Sequence, residues 1–293
     1  MISEVLGRFN DPVTTRLYYS LLNFRHKTEF ITIGDEVSQL RAWIATIPSD
    51  FDIVVGIPRS GLFTASLLST EFGKPLSIPE LIIQNKYWVT RTGTENLKID
   101  LDTARLLLVD DSAGTGSSLN EAKDLILKHK PNVTIKTAVP WLSHKSKADY
   151  SLKHFPNDIE PTWIRSLMHN KYIPPIAFDF DGVLCMDYDG SDYLNFLINV
   201  KPYKIPIYEI DYIITGRKEF YRCNTELWLS QNKVKYKELH MCPNGKPTID
   251  FKVEMIRKLK PGIFVESNPL EAIELHKRTG IRVISLGDEQ LYG

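Results

Sequence analysis

The sequence is poor in the features that define several large protein classes. It holds three cysteines among 293 residues, Cys185, Cys223 and Cys242, too few and too scattered for a disulfide framework. His240 and Cys242 stand close together in "LHMC", but no second Cys/His pair occurs at ligand spacing, which argues against a structural zinc site. An apolar run long enough to span a bilayer is missing, and so is an N-terminal apolar stretch of the signal-peptide kind. A cytoplasmic protein without a transmembrane segment is expected. Excess charge of either sign is absent too: Lys+Arg and Asp+Glu each number 36, with 19 of each up to residue 170 and the other 17 beyond it. Neither half has the basic surplus of a nucleic-acid binder. Internal repeats and low-complexity tracts are likewise lacking.

What is present is a strand–helix alternation. "GDEVSQLRAWIATI" (34–47) carries apolar residues near helical spacing. "FDIVVGI" (51–57) reads as a short buried strand, "GLFTASLLSTEFG" (61–73) as a helix closed by Gly73, "RLLLVDD" (105–111) as a strand and "SSLNEAKDLILKHK" (117–130) as a helix stopped before Pro131. "VTIKTAVPWL" (133–142) is read as one further strand. Alternation of this kind predicts a mostly parallel sheet with helices on both faces. A stretch with four prolines and weak periodicity, residues 154–175, is the expected linker. The pattern then restarts with "IAFDFDGVLC", "DYIITGR", "GIFVES" and "IRVISL". The expected architecture is α/β, two Rossmann-like domains over residues 1–160 and 172–293, with self-association left open.

Two strands end in acids, and a core strand does not end in charge unless something binds there. In the first, Asp110 and Asp111 follow four apolar residues, and Ala113, Gly114, Thr115, Gly116, Ser117 and Ser118 come next. At the carboxyl end of a parallel strand, small residues opening a helix form an anion cradle of backbone N–H groups. The carboxylates beside it suit sugar hydroxyls or magnesium. No lysine precedes the Ser, so a Walker A loop is excluded, and GxGxxG is absent. The stretch resembles the 5-phosphoribosyl-1-diphosphate (PRPP) motif of type I phosphoribosyltransferases. That resemblance, over roughly residues 30–145, implies that the acids hold the ribose hydroxyls and the loop the 5-phosphate. "VVGIPRSGL" (54–62) resembles the family's pyrophosphate loop, which implicates Arg59, Ser60 and Gly61 and suggests a cis Pro58–Arg59 bond. Residues 82–100 lie where the family has a mobile catalytic loop, so that Lys86 and Arg91 would close over the diphosphate, or be solvated loop charges. Members acting on 6-oxopurines carry a carboxylate three positions after the second acid; Gly114 stands there, which argues against hypoxanthine or guanine.

In the second, "IAFDFDGVL" (176–184) resembles motif I of the haloacid dehalogenase (HAD) phosphatases. The resemblance implies that Asp179 attacks phosphorus and Asp181 handles the leaving-group proton. Thr215 fits motif II. Lys252 fits motif III, with Lys246 as a rival, and Glu266 fits motif IV, where it would join Asp179 and the Asp181 carbonyl in holding Mg2+. The 34 positions from Asp181 to Thr215 and the 37 from Thr215 to Lys252 leave no room for a large cap.

A site that attaches 5-phosphoribosyl and one that removes a phosphate, on one chain, imply a bifunctional enzyme. With a sugar hydroxyl as acceptor the net product is a plain ribofuranosyl group, and a bacterial glycan or glycolipid is the expected partner beside PRPP. Two other readings stay open: a nucleobase phosphoribosyltransferase joined to a nucleotidase, with Trp163 or Tyr87 stacking the base, and a PRPP or nucleotide sensor without turnover.

Overall fold

The computed structural model describes residues 27–89, 98–155, 159–169, 175–190 and 192–293; Arg91 lies outside them. Strand β1 (Lys27–Ile31) and helix α1 (Ile33–Ile44) come first. The chain divides into two compact units: one is Asp35–Glu160, and the other combines the described residues before Asp35 with Pro161–Gly293. The strand at Lys27–Ile31, which falls within the expected first domain, therefore goes with the second unit.

In the Asp35–Glu160 unit, β2 (Ile53–Gly56), β3 (Leu76–Ser77), β4 (Arg105–Val109) and β6 (Thr134–Ala138) make a parallel sheet in the order β3-β2-β4-β6. All four residues of β2 and the last four of β4 are buried. Helix-covered strands lose both faces to the core, which is why "IVV" and "LLLV" run apolar without alternation. Each fully buried Leu or Ile there contributes about 2 kcal/mol of transfer free energy. Helix α2 (Gly61–Phe72) follows β2 and ends at Gly73 in the left-handed region, φ 59°. A short α3 (Pro79–Ile82) and the longer α4 (Ser117–His129) complete the cover. A second parallel sheet holds β5 (Ser112–Ala113), β7 (Trp141–Ser143) and β8 (Lys153–Phe155). The single strand expected over 133–142 is thus two strands in different sheets, broken beside Pro140, which has no N–H to give a ladder.

The expected linker also carries structure: β9 (Ile159–Trp163) pairs with β1. The second unit's main sheet contains β10 (Ile176–Phe178), β11 (Ile210–Lys218), β12 (Tyr236–Cys242), β13 (Ile263–Glu266), β14 (Arg282–Ser285) and β15 (Gln290–Tyr292). Their order is β12-β11-β10-β13-β14-β15, parallel except for the antiparallel edge strand β15. Successive residues face opposite sides. Ile176 and Phe178 enter one core cluster with Ile213, Val265 and Ile284, while Ala177 enters another with Ile214, Phe264 and Val283. Helices α5 (Tyr193–Asn199), α6 (Arg222–Gln231), α7 (Thr248–Leu259) and α8 (Pro269–Thr279) cover the sheet.

Candidate functional site

Both acid-tipped strands end at the carboxyl edge of a parallel sheet, and each edge is a candidate site. At the end of β4, Asp110 and Asp111 are buried. Asp110 accepts the Asp111 N–H at 2.9 Å. No cation of a described residue pairs with Asp110, and its carboxyl is pushed up to about 7 by burial first and by the charge of Asp111 second. The loop behind it is tied down by serine hydroxyls: Ser146 Oγ donates to the Ala113 carbonyl at 2.6 Å, and Ser143 Oγ donates to the Gly114 carbonyl. Gly116 is the residue preceding α4 and has φ 79°, a left-handed conformation that a side chain disfavours. Gly114, Thr115, Ser117 and Ser118 are exposed around that helix start.

The other loop in this unit meets the first. Pro58–Arg59 is a cis peptide bond. Arg59 is exposed, and Ser60 precedes α2 without capping it through its side chain. Gly61 opens α2 hard against β4: a Cβ there would lie 2.8 Å from Asp110 Oδ1 and 3.0 Å from the Val109 carbonyl. The tight helix opening therefore requires glycine. A groove nearby is lined by Pro58 and Ser118 together with Glu80 and Glu121. Lys86 is exposed, its Nζ donating to Gln84 Oε1 at 3.3 Å.

In the second unit the acids carry their own cations. Asp179, at the end of β10, accepts the Phe180 N–H at 2.7 Å and Lys252 Nζ at 2.9 Å. Lys252 Nζ also donates to Glu266 Oε2 at 2.7 Å and Glu271 Oε2 at 2.8 Å. Lys246 is elsewhere, paired with Glu254. Burial raises Asp179 well above the usual carboxylate range, opposed by the Lys252 ammonium and reinforced by Glu266. Burial by itself would lower Lys252, but its three carboxylates outweigh that and hold it firmly protonated. Asp181 is turned to Arg217, with Nη2 2.7 Å from Oδ1 and Nε 3.0 Å from the same oxygen. Thr215 is buried, and its Oγ1 accepts the Arg217 N–H at 3.1 Å.

The expected magnesium ligands are the carboxylates of Asp179 and Glu266 and the Asp181 carbonyl. Lys252 bridges Asp179 and Glu266, the Asp181 carboxylate faces Arg217, and the Asp181 carbonyl accepts Ser267 Oγ at 3.1 Å. Among the described residues, no three His, Cys, Asp or Glu side chains form a metal-binding group. The cation these carboxylates do hold is the lysine ammonium.

With both geometries in view, comparison with known proteins separates the units. Residues 31–165 match the family model described as "Phosphoribosyl transferase domain". Those residues are a phosphoribosyl transferase domain. The chain is 38% identical over 78 residues to an orotate phosphoribosyltransferase of Sulfurisphaera tokodaii, covering 26% of this chain and 37% of that protein. It is 34% identical over 90 residues to an adenine phosphoribosyltransferase of Chlorobium luteolum, covering 27% of this chain and 50% of that protein. The chain thus spans half or less of the length of these curated relatives. The solved purine phosphoribosyltransferase of Pyrococcus horikoshii Ot3 aligns with 47% of this chain and 93% of its own at 20% identity, TM-score 0.36. No described helix is long and apolar enough to cross a membrane.

Outside the phosphoribosyl transferase domain, two residues escape the motif reading. Arg217 is fully buried, and it is turned inward by an irregularity in the ladder: β11 pairs with β12 at Thr215↔Met241 and next at Lys218↔Cys242, so Gly216 and Arg217 have no opposite number. Its sign in the sequence is a lone arginine straight after an apolar strand. Glu271 stands in the first turn of α8, where Asn268 caps the helix by accepting the Leu270 and Glu271 N–H groups. Its sign is a second acid five positions after Glu266.

Proposed function

We propose that the phosphoribosyl transferase domain transfers a 5-phosphoribosyl group from PRPP, and that the second unit then removes the 5-phosphate. The observation that carries the first step is the buried Asp110 at a strand end, paired with no cation of the described residues, with the Ala113–Ser118 loop on one side and Gly61 against it on the other. Asp110 and Asp111 would accept hydrogen bonds from the ribose hydroxyls, the exposed hydroxyls and N–H groups of Gly114–Ser118 would take the 5-phosphate, and Arg59, Ser60 and Gly61 the diphosphate. Lys86 would reach over the diphosphate. Magnesium enters with PRPP as part of the substrate. The C1–O bond to pyrophosphate breaks as the acceptor oxygen or nitrogen bonds to C1. No protein nucleophile is needed, because the work is positioning and charge compensation.

In the second unit, an Asp179 carboxylate oxygen would attack phosphorus, and the ester oxygen would leave with a proton from Asp181. Water would then split the acyl phosphate, with Asp181 taking its proton. Lys252 offsets the negative charge gathered at Asp179, and Thr215 lies two residues before the arginine that fixes Asp181. We take the acceptor to be a sugar hydroxyl of a glycan or glycolipid, since dephosphorylation then completes a ribofuranosyl group instead of undoing a nucleotide. A nucleobase acceptor is the second reading, and it is favoured by the names of the orotate and adenine relatives.

The test is to incubate the chain with Mg·PRPP and either free bases or saccharide acceptors, and to weigh the products. Replacing Asp110 and Asp111 together by Asn should stop transfer while phosphate release from added riboside 5-phosphates continues. Undiminished transfer by the double variant would remove the donor-site assignment.

A further inference from the structure

Five aromatic side chains from three separate stretches of chain form a connected run whose inner members, Tyr193 and Phe196, lie near Asp181 and Arg217. Tyr188 follows motif I, Tyr193 and Phe196 lie on α5, and Phe220 and Tyr221 follow β11. They form a continuous run: ring centroids are 5.4 Å apart for Tyr188–Tyr193, 5.0 Å for Tyr188–Phe196, 5.3 Å for Tyr193–Tyr221 and 5.2 Å for Phe220–Tyr221. One end of the run is buried in the site: the Arg217 guanidinium lies 3.9 Å from the centroid of Phe180 and 5.6 Å from that of Phe196. The same guanidinium grips Asp181, and its Nη1 is buried with no hydrogen-bond partner. Burial raises the Tyr193 phenol, and the Asp181 charge adds to that, so the phenol lies within electrostatic reach of the acid. The other end of the run is open: Tyr188 is 44% exposed and Phe220 76%.

A soluble protein does not ordinarily leave such a run of rings on its surface beside a buried ion pair. In the proposed reaction Asp181 faces the leaving oxygen, so the alcohol part of the ester departs on its side. Aromatic faces bind planar bases by stacking and sugars by their C–H faces, with little entropy to lose. We infer that Tyr188, Tyr193, Phe196, Phe220 and Tyr221 form a wall that binds the ring carried on the riboside 5-phosphate, with Arg217 at its inner end. The wall selects esters whose ribose bears a second ring over PRPP or a bare phosphate. This inference rests on the phosphatase reading of the second unit.

The test separates the two. In the full chain carrying Asp179→Asn, titration calorimetry compares three ligands: methyl β-ribofuranoside 5-phosphate, adenosine 5′-monophosphate and a hexopyranosyl ribofuranoside 5-phosphate. At least one ring-bearing ester should bind about tenfold tighter than the methyl riboside. Tyr188→Ala with Phe220→Ala should shrink that ratio to about threefold or less, and Tyr188→Phe should keep it. Preference for the hexose or for the base identifies the source of the ring, and either supports the wall. Equal affinities for all three ligands, or a ratio that survives the double alanine change, overturns it. The methyl riboside serves as the reference within each variant, and the equal-affinity outcome is read in a chain whose wall is intact. Phosphate release is measured separately in the unmutated chain: no release from any ester overturns the phosphatase reading, while the binding ratio still decides the wall.

Discussion

The two acid-tipped strands solve the same electrostatic problem in opposite ways. Asp110, at the end of β4, is buried with no cation from the described residues beside it, and its carboxyl is pushed up to about 7. Asp179, at the end of β10, is buried against an ammonium shared by three carboxylates, and its neighbour Asp181 is gripped by a buried arginine. A site that lacks its own counter-charge must draw compensation from the ligand, from hydroxyl donors and an accompanying cation. A site that carries its counter-charge is organised before anything binds, at a standing desolvation cost. The Asp110 end thus lacks a counter-charge among the described residues, and the Asp179 end carries its own.

The largest effect that would break this contrast is catalytic. Asp179→Asn should lower phosphate release by about 10³-fold or more, since an amide cannot take the phosphoryl group. Transfer should continue in that variant, and its product should be heavier by one phosphate, about 80 mass units. Fully dephosphorylated product from the purified variant would show that Asp179 is not the acceptor.

Stability comes next. Lys252→Met leaves three carboxylates around no cation, and urea denaturation should show a loss of about 3–5 kcal/mol, the usual result of breaking a buried pair. A loss below about 1 kcal/mol, the value for a surface pair, would mean that the cluster is not organised in the way its geometry suggests.

At the donor site the sign reverses. The unfolded chain releases the Asp110 proton near the ordinary aspartate value of 3.8, while the folded chain keeps it to about 7. Between those values the folded state binds more protons, so stability falls as pH rises from 4 to 7. Asp110→Asn removes that slope. It should be about 4 kcal/mol more stable than the parent at pH 8 and near parity at pH 4, while losing transfer. Parallel stability curves of the two proteins from pH 4 to 8 would contradict the cation-free reading of Asp110. The smallest effect belongs to Glu271→Gln: its side chain is 34% exposed, and Lys252 keeps two partners. About 1 kcal/mol is expected in the same urea experiment. A loss as large as that of Lys252→Met would make Glu271 an equal member of the cluster.

Much of this contrast is legible in the chain. "IVVG", "RLLLV" and "GIFVE" read as strands because parallel strands buried on both faces need no alternation, and the helix before Gly73 ends where its left-handed residue requires. The strand Tyr236–Cys242 was harder to see, because an edge position lets lysine, glutamate and histidine interrupt it. Arg217 owes its inward position to a two-residue slip against β12, which no local pattern announces. Glu271 acquires its role only when α8 returns it to Lys252, 19 residues from it in sequence. The charge states of the acids depend on partners of this kind, so sequence placed Asp110 and Asp179 at strand ends without telling their environments apart.

The pairing of β1 with β9 bears on how the chain is made. All but the last two residues of the Asp35–Glu160 unit lie between these strands in sequence. On a ribosome adding about 5–20 residues per second, β1 leaves the exit tunnel on the order of ten seconds before its partner strand. Within that interval the four strands of the intervening unit's main sheet emerge, the last of them ending at Ala138, and can pair, while Phe30 waits for a core supplied by Leu167, Ile176 and later residues. Synthesis therefore favours an order of assembly in which the phosphoribosyl transferase domain forms first and the unit that encloses it in sequence is finished last.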